Sequence, residues 1–143
     1  MLWSLKKGSP YENAKSIQDF SGTKVTSQLN TSNYEVIDQI KDVKKQTAME
    51  NFSAMRVALE AGKIDGYVAE RPEGISAAAA NENFTFVSFE EGFDTDISNT
   101  SIAVGLRKGD ANVDKINEIL KGISEDDRQK IMEDAILQQP AAQ

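Results

Sequence analysis

Apolar and polar residues follow two different periods along this chain, and the period changes several times between its two ends. Short runs that are β-branched, or that alternate between apolar and polar positions, predict strands. Recurrence of apolar residues every three or four positions predicts helices. The predicted strands are residues 24–29, 43–48, 64–69, 84–89 and 101–106.

A helix is predicted directly after the first of these strands. Tyr34, Ile37 and Ile40 recur at helical spacing. They follow a polar stretch, residues 30–33, whose side chains suit the start of a helix because they can accept hydrogen bonds from its free N–H groups. Asp42 is expected to end this helix before the next strand begins.

Four further helices are marked by their end signals. Asn51 is a candidate cap for the first of them, and Gly62 is expected to close it. The next begins at Pro72, because proline suits the first turn of a helix, and it runs through the alanines at 77–80. Two amphipathic helices follow residue 110, and Ser124 is expected to cap the second.

The order of these elements predicts the fold class. A strand–helix–strand–helix–strand order predicts parallel strands joined by right-handed crossovers, which is an α/β fold. The chain has 143 residues, the length of one ordinary domain, and a chain of this length can bury a substantial core.

Composition narrows the range of functions. The chain carries 16 basic and 23 acidic residues and a net charge of −7, which argues against binding to nucleic acid. It has no cysteine and no histidine, which excludes thiolate catalysis, a serine–histidine pair and histidine- or cysteine-based metal sites. We therefore expect no cofactor and no metal.

Polar residues follow two of the predicted strands. Strand 64–69 stops abruptly at Glu70 and Arg71, and the polar stretch after strand 24–29 consists of Asn30, Thr31, Ser32 and Asn33. Ligands bind at the carboxyl ends of parallel strands. A helix start suits a carboxylate, and Glu70 suits an ammonium, so together they fit an α-amino acid. The alternatives are plain helix capping by residues 30–33 and a solvated Glu70–Arg71 pair.

Three stretches, "SIQDFSGTKV", "AMRVALEAGKIDGYVAE" and "IAVGLRKGD", occur in an order and spacing that resemble the solute-binding proteins of polar amino acid ABC transporters, the bacterial family 3 extracellular solute-binding proteins. The resemblance implies a lobe of the type II periplasmic-binding-protein fold: a mostly parallel twisted sheet with an antiparallel crossing strand and helices on both faces. It implies that residues 1–100 form the second of two lobes, and that residues 101–143 form a returning hinge strand and helices that pack on an absent first lobe.

The resemblance also implies a set of site residues. Thr31 and Ser32 match the turn that meets the ligand carboxylate, although the family usually has glycine where this chain has Asn30. Asparagine tolerates the left-handed backbone that such a turn needs. Gln28 matches a position that reaches the ligand side chain. Glu70 matches the family's ammonium-binding acid, which is more often aspartate.

The function that the resemblance implies is capture of a polar or charged L-amino acid between two lobes for delivery to an ABC transporter permease. It places the parent protein at the extracellular face of the membrane, lipid-anchored or fused to its permease, or in the periplasm. One lobe supplies about half the contacts, so we expect millimolar or undetectable binding by this chain alone. The apolar faces left without the first lobe are expected to rearrange or to form a strand-exchanged homodimer.

The alternative function is enzymatic. The same scaffold resembles cyclohexadienyl dehydratases, in which a carboxylate serves as general acid, and Glu70 is the one residue suited to that role in this chain.

Overall fold

The computed structural model describes residues 1–89, 91–96 and 101–138. These residues fall into two compact units, an N-terminal unit up to Asp96 and a C-terminal unit from Ser101 onward. The N-terminal unit holds a five-stranded sheet. Its strands are β1 Leu2–Lys6, β2 Lys24–Thr26, β3 Lys44–Lys45, β4 Gly66–Ala69 and β5 Phe84–Val87.

The strands lie in the order β3-β2-β4-β1-β5. β2 pairs in parallel with β3 and β4, whereas β1 pairs antiparallel with both β4 and β5. The first strand of the chain is therefore inserted between β4 and β5, which run in the same direction. This mixed α/β sheet with one antiparallel crossing strand confirms the predicted fold class.

The N-terminal unit has three α-helices and the C-terminal unit two within the described ranges. They are α1 Ser32–Glu35, α2 Phe52–Glu60, α3 Arg71–Ala80, α4 Val113–Lys121 and α5 Glu125–Leu137. Asn51 caps α2 as predicted, because its side chain accepts a hydrogen bond of 2.9 Å from the N–H of Ala54. Ser124 caps α5 through the N–H of Asp127. None of the helices described is long and apolar enough to cross a membrane.

The helix predicted from Tyr34 onward is mostly not an α-helix. After the single turn of α1 the backbone tightens into a 3₁₀ segment, Val36–Gln39. Tyr34 lies in α1, Ile37 lies in the 3₁₀ segment, and Ile40 follows it in an extended conformation. Ile37 and Ile40 are both buried. Apolar residues spaced by three are consistent with an α-helix or a 3₁₀-helix, and the structure has the 3₁₀ form over Val36–Gln39.

The predicted strands at 43–48 and 101–106 differ from the structure. The first is reduced to β3, a two-residue strand at the edge of the sheet. The second prediction is wrong, because residues 101–106 have no regular secondary structure, and Ile102 and Val104 are exposed. A strand is stabilised by bonds to a neighbouring strand. Within the described residues no strand pairs with this segment.

Apolar residues are buried on both faces of the sheet. One face packs under α2 and α3, and its core includes Leu2, Tyr67 and Leu59. The other face packs under the two 3₁₀ segments, Ile17–Phe20 and Val36–Gln39, with Trp3 and Val68 in its core. Successive residues of β1 and β4 thus alternate between the two cores, as the period of a strand requires.

Candidate ligand-binding site

The ends of β2 and β4 lie side by side, which brings the two predicted polar clusters to one edge of the sheet. The strands are parallel and in register, with Thr26 opposite Tyr67. One residue further along, the buried Ser27 hydroxyl donates a hydrogen bond of 2.7 Å to the carbonyl of Val68. The chain segments that follow Ser27 and Ala69 therefore both leave the sheet at its carboxyl edge, and α1 contacts β4 there.

The turn after β2 is held by hydrogen bonds from its side chains to backbone carbonyls. Asn30 has a φ of 59°, the left-handed conformation anticipated for it. The hydroxyl of Thr31 donates to the carbonyl of Gln28 at 2.7 Å. The Gln28 side chain donates to the carbonyl of Glu50 at 3.1 Å, so its amide is engaged at the neighbouring strand end.

The first residues of α1 keep unused hydrogen-bonding groups. Thr31 occupies the cap position, but its side chain makes no capping bond. The first N–H groups of a helix have no partner within it. Ser32 is half-buried and Asn33 is 6% exposed, and neither side chain is hydrogen-bonded within the described part of the chain. Polar groups in such an environment are available to a ligand.

Glu70 lies at the start of α3 with its carboxylate exposed. Its backbone carbonyl accepts bonds from the N–H groups of Glu73 and Gly74, at 3.1 and 3.3 Å. Its side chain makes no capping bond, and among the described residues it forms no ion pair, either with Arg71 or with another base. The carboxylate is thus free at the same edge as α1.

A second polar cluster beneath this edge was not predicted from the sequence. The guanidinium of Arg56, on α2, donates two hydrogen bonds of 2.9 and 2.8 Å to the carboxylate of Glu73. The hydroxyl of Tyr67, on β4, donates to the same carboxylate at 2.9 Å. Arg56 and Glu73 lie on different helices, far apart in sequence. No spacing rule pairs such residues, so only the folded sheet shows the contact.

The environment of this cluster shifts two pKa values. Burial raises the pKa of Tyr67 to about 12, and the negative charge of Glu73 adds to the effect. Burial opposes the charged form of Arg56, but its hydrogen bonds and attraction to Glu73 prevail and raise its pKa. At neutral pH the cluster therefore consists of a neutral tyrosine and a closed ion pair.

The raised pKa of Tyr67 predicts alkaline destabilisation. The unfolded chain releases the tyrosine proton near its ordinary value of about 10, whereas the folded chain retains it to about pH 12. The stabilisation is thus present below pH 10 and is lost between pH 10 and 12, by about 2 kcal/mol. Urea unfolding across this range should show the loss in the wild type and not in Tyr67→Phe. Tyr11→Phe is the control and should keep the wild-type pH dependence. A loss of stability in Tyr67→Phe as large as that of the wild type would show that Tyr67 is not its source.

Solved structures with the same fold include substrate-binding proteins of amino acid ABC transporters. A substrate-binding protein of an amino acid ABC transporter from Streptococcus pneumoniae, bound to L-arginine, matches with a TM-score of 0.72 at 23% identity, covering 94% of this chain and 56% of that chain. An ancestral arginine-binding protein bound to arginine matches with a TM-score of 0.64 at 24% identity, covering 93% and 58%. Domain 2 of the T. maritima protein TmArgBP matches with a TM-score of 0.56 at 18% identity, covering 65% and 98%.

These likenesses show the fold. The chain has the architecture of a lobe of the amino acid-binding proteins of ABC transporters, and it spans a little over half the length of the two whole proteins. No family model matches the sequence, and no curated protein matches it.

Proposed function

We propose that this chain is a ligand-binding lobe of an amino acid ABC transporter's substrate-binding protein. It captures a polar or charged amino acid, which a second lobe encloses for delivery to the permease. The proposal rests on two polar groups that lie at the same edge of the sheet and make no hydrogen bonds among the described residues. They are the start of α1 and the exposed carboxylate of Glu70. The free N–H groups of Ser32 and Asn33 at the start of α1 suit the carboxylate of a zwitterion, and Glu70 suits its ammonium.

Arginine is the ligand to test first, because two of the solved structures with this fold are bound to it. The net charge of −7 also favours a cationic ligand through long-range attraction. Gln28, Asn30 and Asn33 surround the start of α1, and we propose that they contact the rest of the amino acid. Thr31 and Ser32 are proposed to meet its carboxylate through hydroxyl and N–H groups.

The energetics predict weak binding by this chain alone. Hydrogen bonds to charged groups contribute roughly 1.5–3 kcal/mol each, and micromolar affinity needs about 8 kcal/mol. Ordering of the ligand opposes binding by several kcal/mol more. Two such groups on one lobe thus give millimolar binding at most, and a first lobe supplies the remaining contacts. This closure is favoured only because the ligand touches both lobes.

Replacing Glu70 by glutamine should weaken arginine binding by about tenfold, because a charged hydrogen bond is replaced by a neutral one. Amide NMR titration of this chain with L-arginine measures the affinity. Agmatine, which lacks the carboxylate, and 5-guanidinopentanoate, which lacks the ammonium, should bind more weakly than arginine. Glu70→Gln should lower the affinity for arginine but not for 5-guanidinopentanoate.

Glu82→Gln is the matched control for this substitution. Glu82 is exposed and precedes β5, whose first residue Phe84 pairs with Lys6, whereas Ala69 beside Glu70 pairs with Leu2. The two glutamates therefore lie at opposite edges of the sheet. Unchanged affinity in Glu70→Gln, or binding of 5-guanidinopentanoate as tight as that of arginine, would contradict the proposal.

The C-terminal unit exposes apolar side chains that we propose are covered by the first lobe in the whole protein. The residues concerned are Ile102, Val104, Ile119, Ile131 and Leu137. Exposed apolar surface of this kind marks an interaction site. A strand-exchanged homodimer through the same surface is the alternative for the isolated chain. We place the whole protein at the extracellular face of the membrane or in the periplasm, with a lipid anchor or a fused permease as its attachment.

A further inference from the structure

We propose that the Arg56–Glu73 ion pair is a positioning device that aims the carboxylate of Glu70 at the ligand ammonium. This inference rests on the proposed function. Glu70 itself is not fixed by its side chain, which makes no bond within the described residues. Its backbone is fixed by the first turn of α3, because its carbonyl accepts from the N–H groups of Glu73 and Gly74. Whatever anchors that turn therefore fixes the backbone position of Glu70, and with it the region that its carboxylate can reach.

The anchor of the turn is the side chain of Glu73. One of its oxygens, Oε1, accepts bonds from Nε of Arg56 and from the hydroxyl of Tyr67, both at 2.9 Å. The other oxygen, Oε2, accepts from Nη2 of Arg56 at 2.8 Å. A two-pronged contact between guanidinium and carboxylate constrains orientation as well as distance. Glu73 thus links α3 at once to α2 and to β4, the strand that leads into Glu70.

Burial makes this anchor rigid. The side chain of Glu73 is 9% exposed and that of Arg56 24%. A carboxylate so enclosed needs its partner, since an uncompensated buried charge is strongly unfavourable. The exposed ion pair Lys121–Glu118 in the C-terminal unit has the same 2.8 Å separation, but its side chains are more than 70% exposed and free to part.

The ion pair also separates the roles of two neighbouring acids. Glu70 occupies the cap position of α3 and Glu73 lies in its first turn, where the helix start favours negative charge. Arg56 neutralises Glu73 and leaves Glu70 as the uncompensated carboxylate of that turn. An incoming ammonium is therefore drawn to Glu70 and not to the acid below it.

Packing keeps α3 in place when the ion pair is removed, so variants of Glu73 are expected to fold. A Cβ added at Gly74 would lie 2.6 Å from Cδ2 of Leu2, which shows how closely α3 approaches β1. Ala77, one turn later, is also buried in this core. The backbone of α3 is thus held by apolar contacts, and Glu73 adjusts only its first turn.

The test is a double-mutant cycle on Glu70 and Glu73, with L-arginine as the probe and amide NMR titration of this chain as the measurement. We expect Glu73→Gln to weaken binding about three- to tenfold in the wild-type background. In the Glu70→Gln background the same substitution should change the affinity less than twofold, because the residue it positions is already gone. Arg56→Lys, which keeps the charge but loses the two-pronged contact, should behave like Glu73→Gln.

Amide hydrogen exchange supplies a readout that does not need the ligand. In Glu73→Gln the backbone N–H groups of positions 73 and 74 should exchange about tenfold faster, and the exchange rates of β2 and β4 should not change. Glu118→Gln is the matched control and should alter neither exchange nor affinity. If Glu73→Gln speeds exchange throughout the sheet, Glu73→Asp takes its place in the cycle.

The outcomes separate this inference from the proposed function. Equal loss of affinity in both backgrounds, or no loss in either, would overturn the positioning role while leaving ligand capture by Glu70 intact. If Glu70→Gln itself binds arginine like the wild type, the proposed function fails and the positioning role fails with it. Non-additive loss supports both.

Discussion

Replacing Trp3 by alanine is expected to remove about 3–5 kcal/mol from the free energy of unfolding of the N-terminal unit. Trp3 is the second residue of β1, which is inserted between β4 and β5, and it is 1% exposed. Its ring stacks on Phe20 with centroids 3.9 Å apart and an angle of 4° between the planes. Alanine leaves a cavity that these closely packed neighbours cannot fill. The total free energy of unfolding of a domain is only about 5–15 kcal/mol, so this loss is a large part of it.

Urea unfolding followed by far-ultraviolet circular dichroism measures the effect. Fluorescence does not serve, because Trp3 is the single tryptophan of the chain. Trp3→Phe is the control: it keeps an aromatic ring against Phe20 and should recover about half of the loss. A loss below about 1.5 kcal/mol for Trp3→Ala would mean that the site collapses around the smaller side chain.

Replacing Gly66 by valine is expected to cost at least about 3 kcal/mol, at the upper end of the range for overpacked cores. A Cβ at this position would lie 2.9 Å from Cδ2 of Leu5 and 3.0 Å from the backbone carbonyl oxygen of Ser4. Leu5 is fully buried, and Ser4 is a paired residue of the interior strand β1. Neither can move aside without disturbing the pairing of β1 with β4.

The matched control is Gly105, in the C-terminal unit. A Cβ added there meets no atom within 4 Å and the backbone needs no positive φ, so Gly105→Val should change the stability by less than about 0.5 kcal/mol. Urea unfolding by circular dichroism again provides the measurement. A Gly66→Ala variant within 0.5 kcal/mol of the wild type would show that β1 and β4 are free to separate locally.

Several features of the candidate site were foreseeable because they depend on neighbours in the sequence. The left-handed backbone at Asn30 follows from what asparagine tolerates, and the start of α3 at Arg71 and Pro72 follows from the fixed φ of proline. The placement of residues 30–33 and Glu70 at one edge was also anticipated. It requires only that two neighbouring strands be parallel, which the strand–helix–strand order implies.

The anchor beneath Glu70 was not foreseeable. Arg56 is one polar residue of an amphipathic helix, and Glu73 has the usual position of an acid in a first helical turn. The position of each residue is therefore explained by its own helix, without reference to the other residue. Their contact depends on α2 and α3 covering the same face of the sheet, and that depends on strand order and on the insertion of β1.

By itself the sequence determined the class of the fold, the helix caps and most of the strands, because these follow from propensities and periodicities within a few residues. Tertiary structure alone decided where the backbone tightens into 3₁₀ turns, which apolar run pairs as a strand, and which buried acid is neutralised. Residues 101–106 have the alternation of a strand and yet are not one. A strand, like an ion pair, exists only when a second element approaches it, and the chain's local chemistry does not specify that approach.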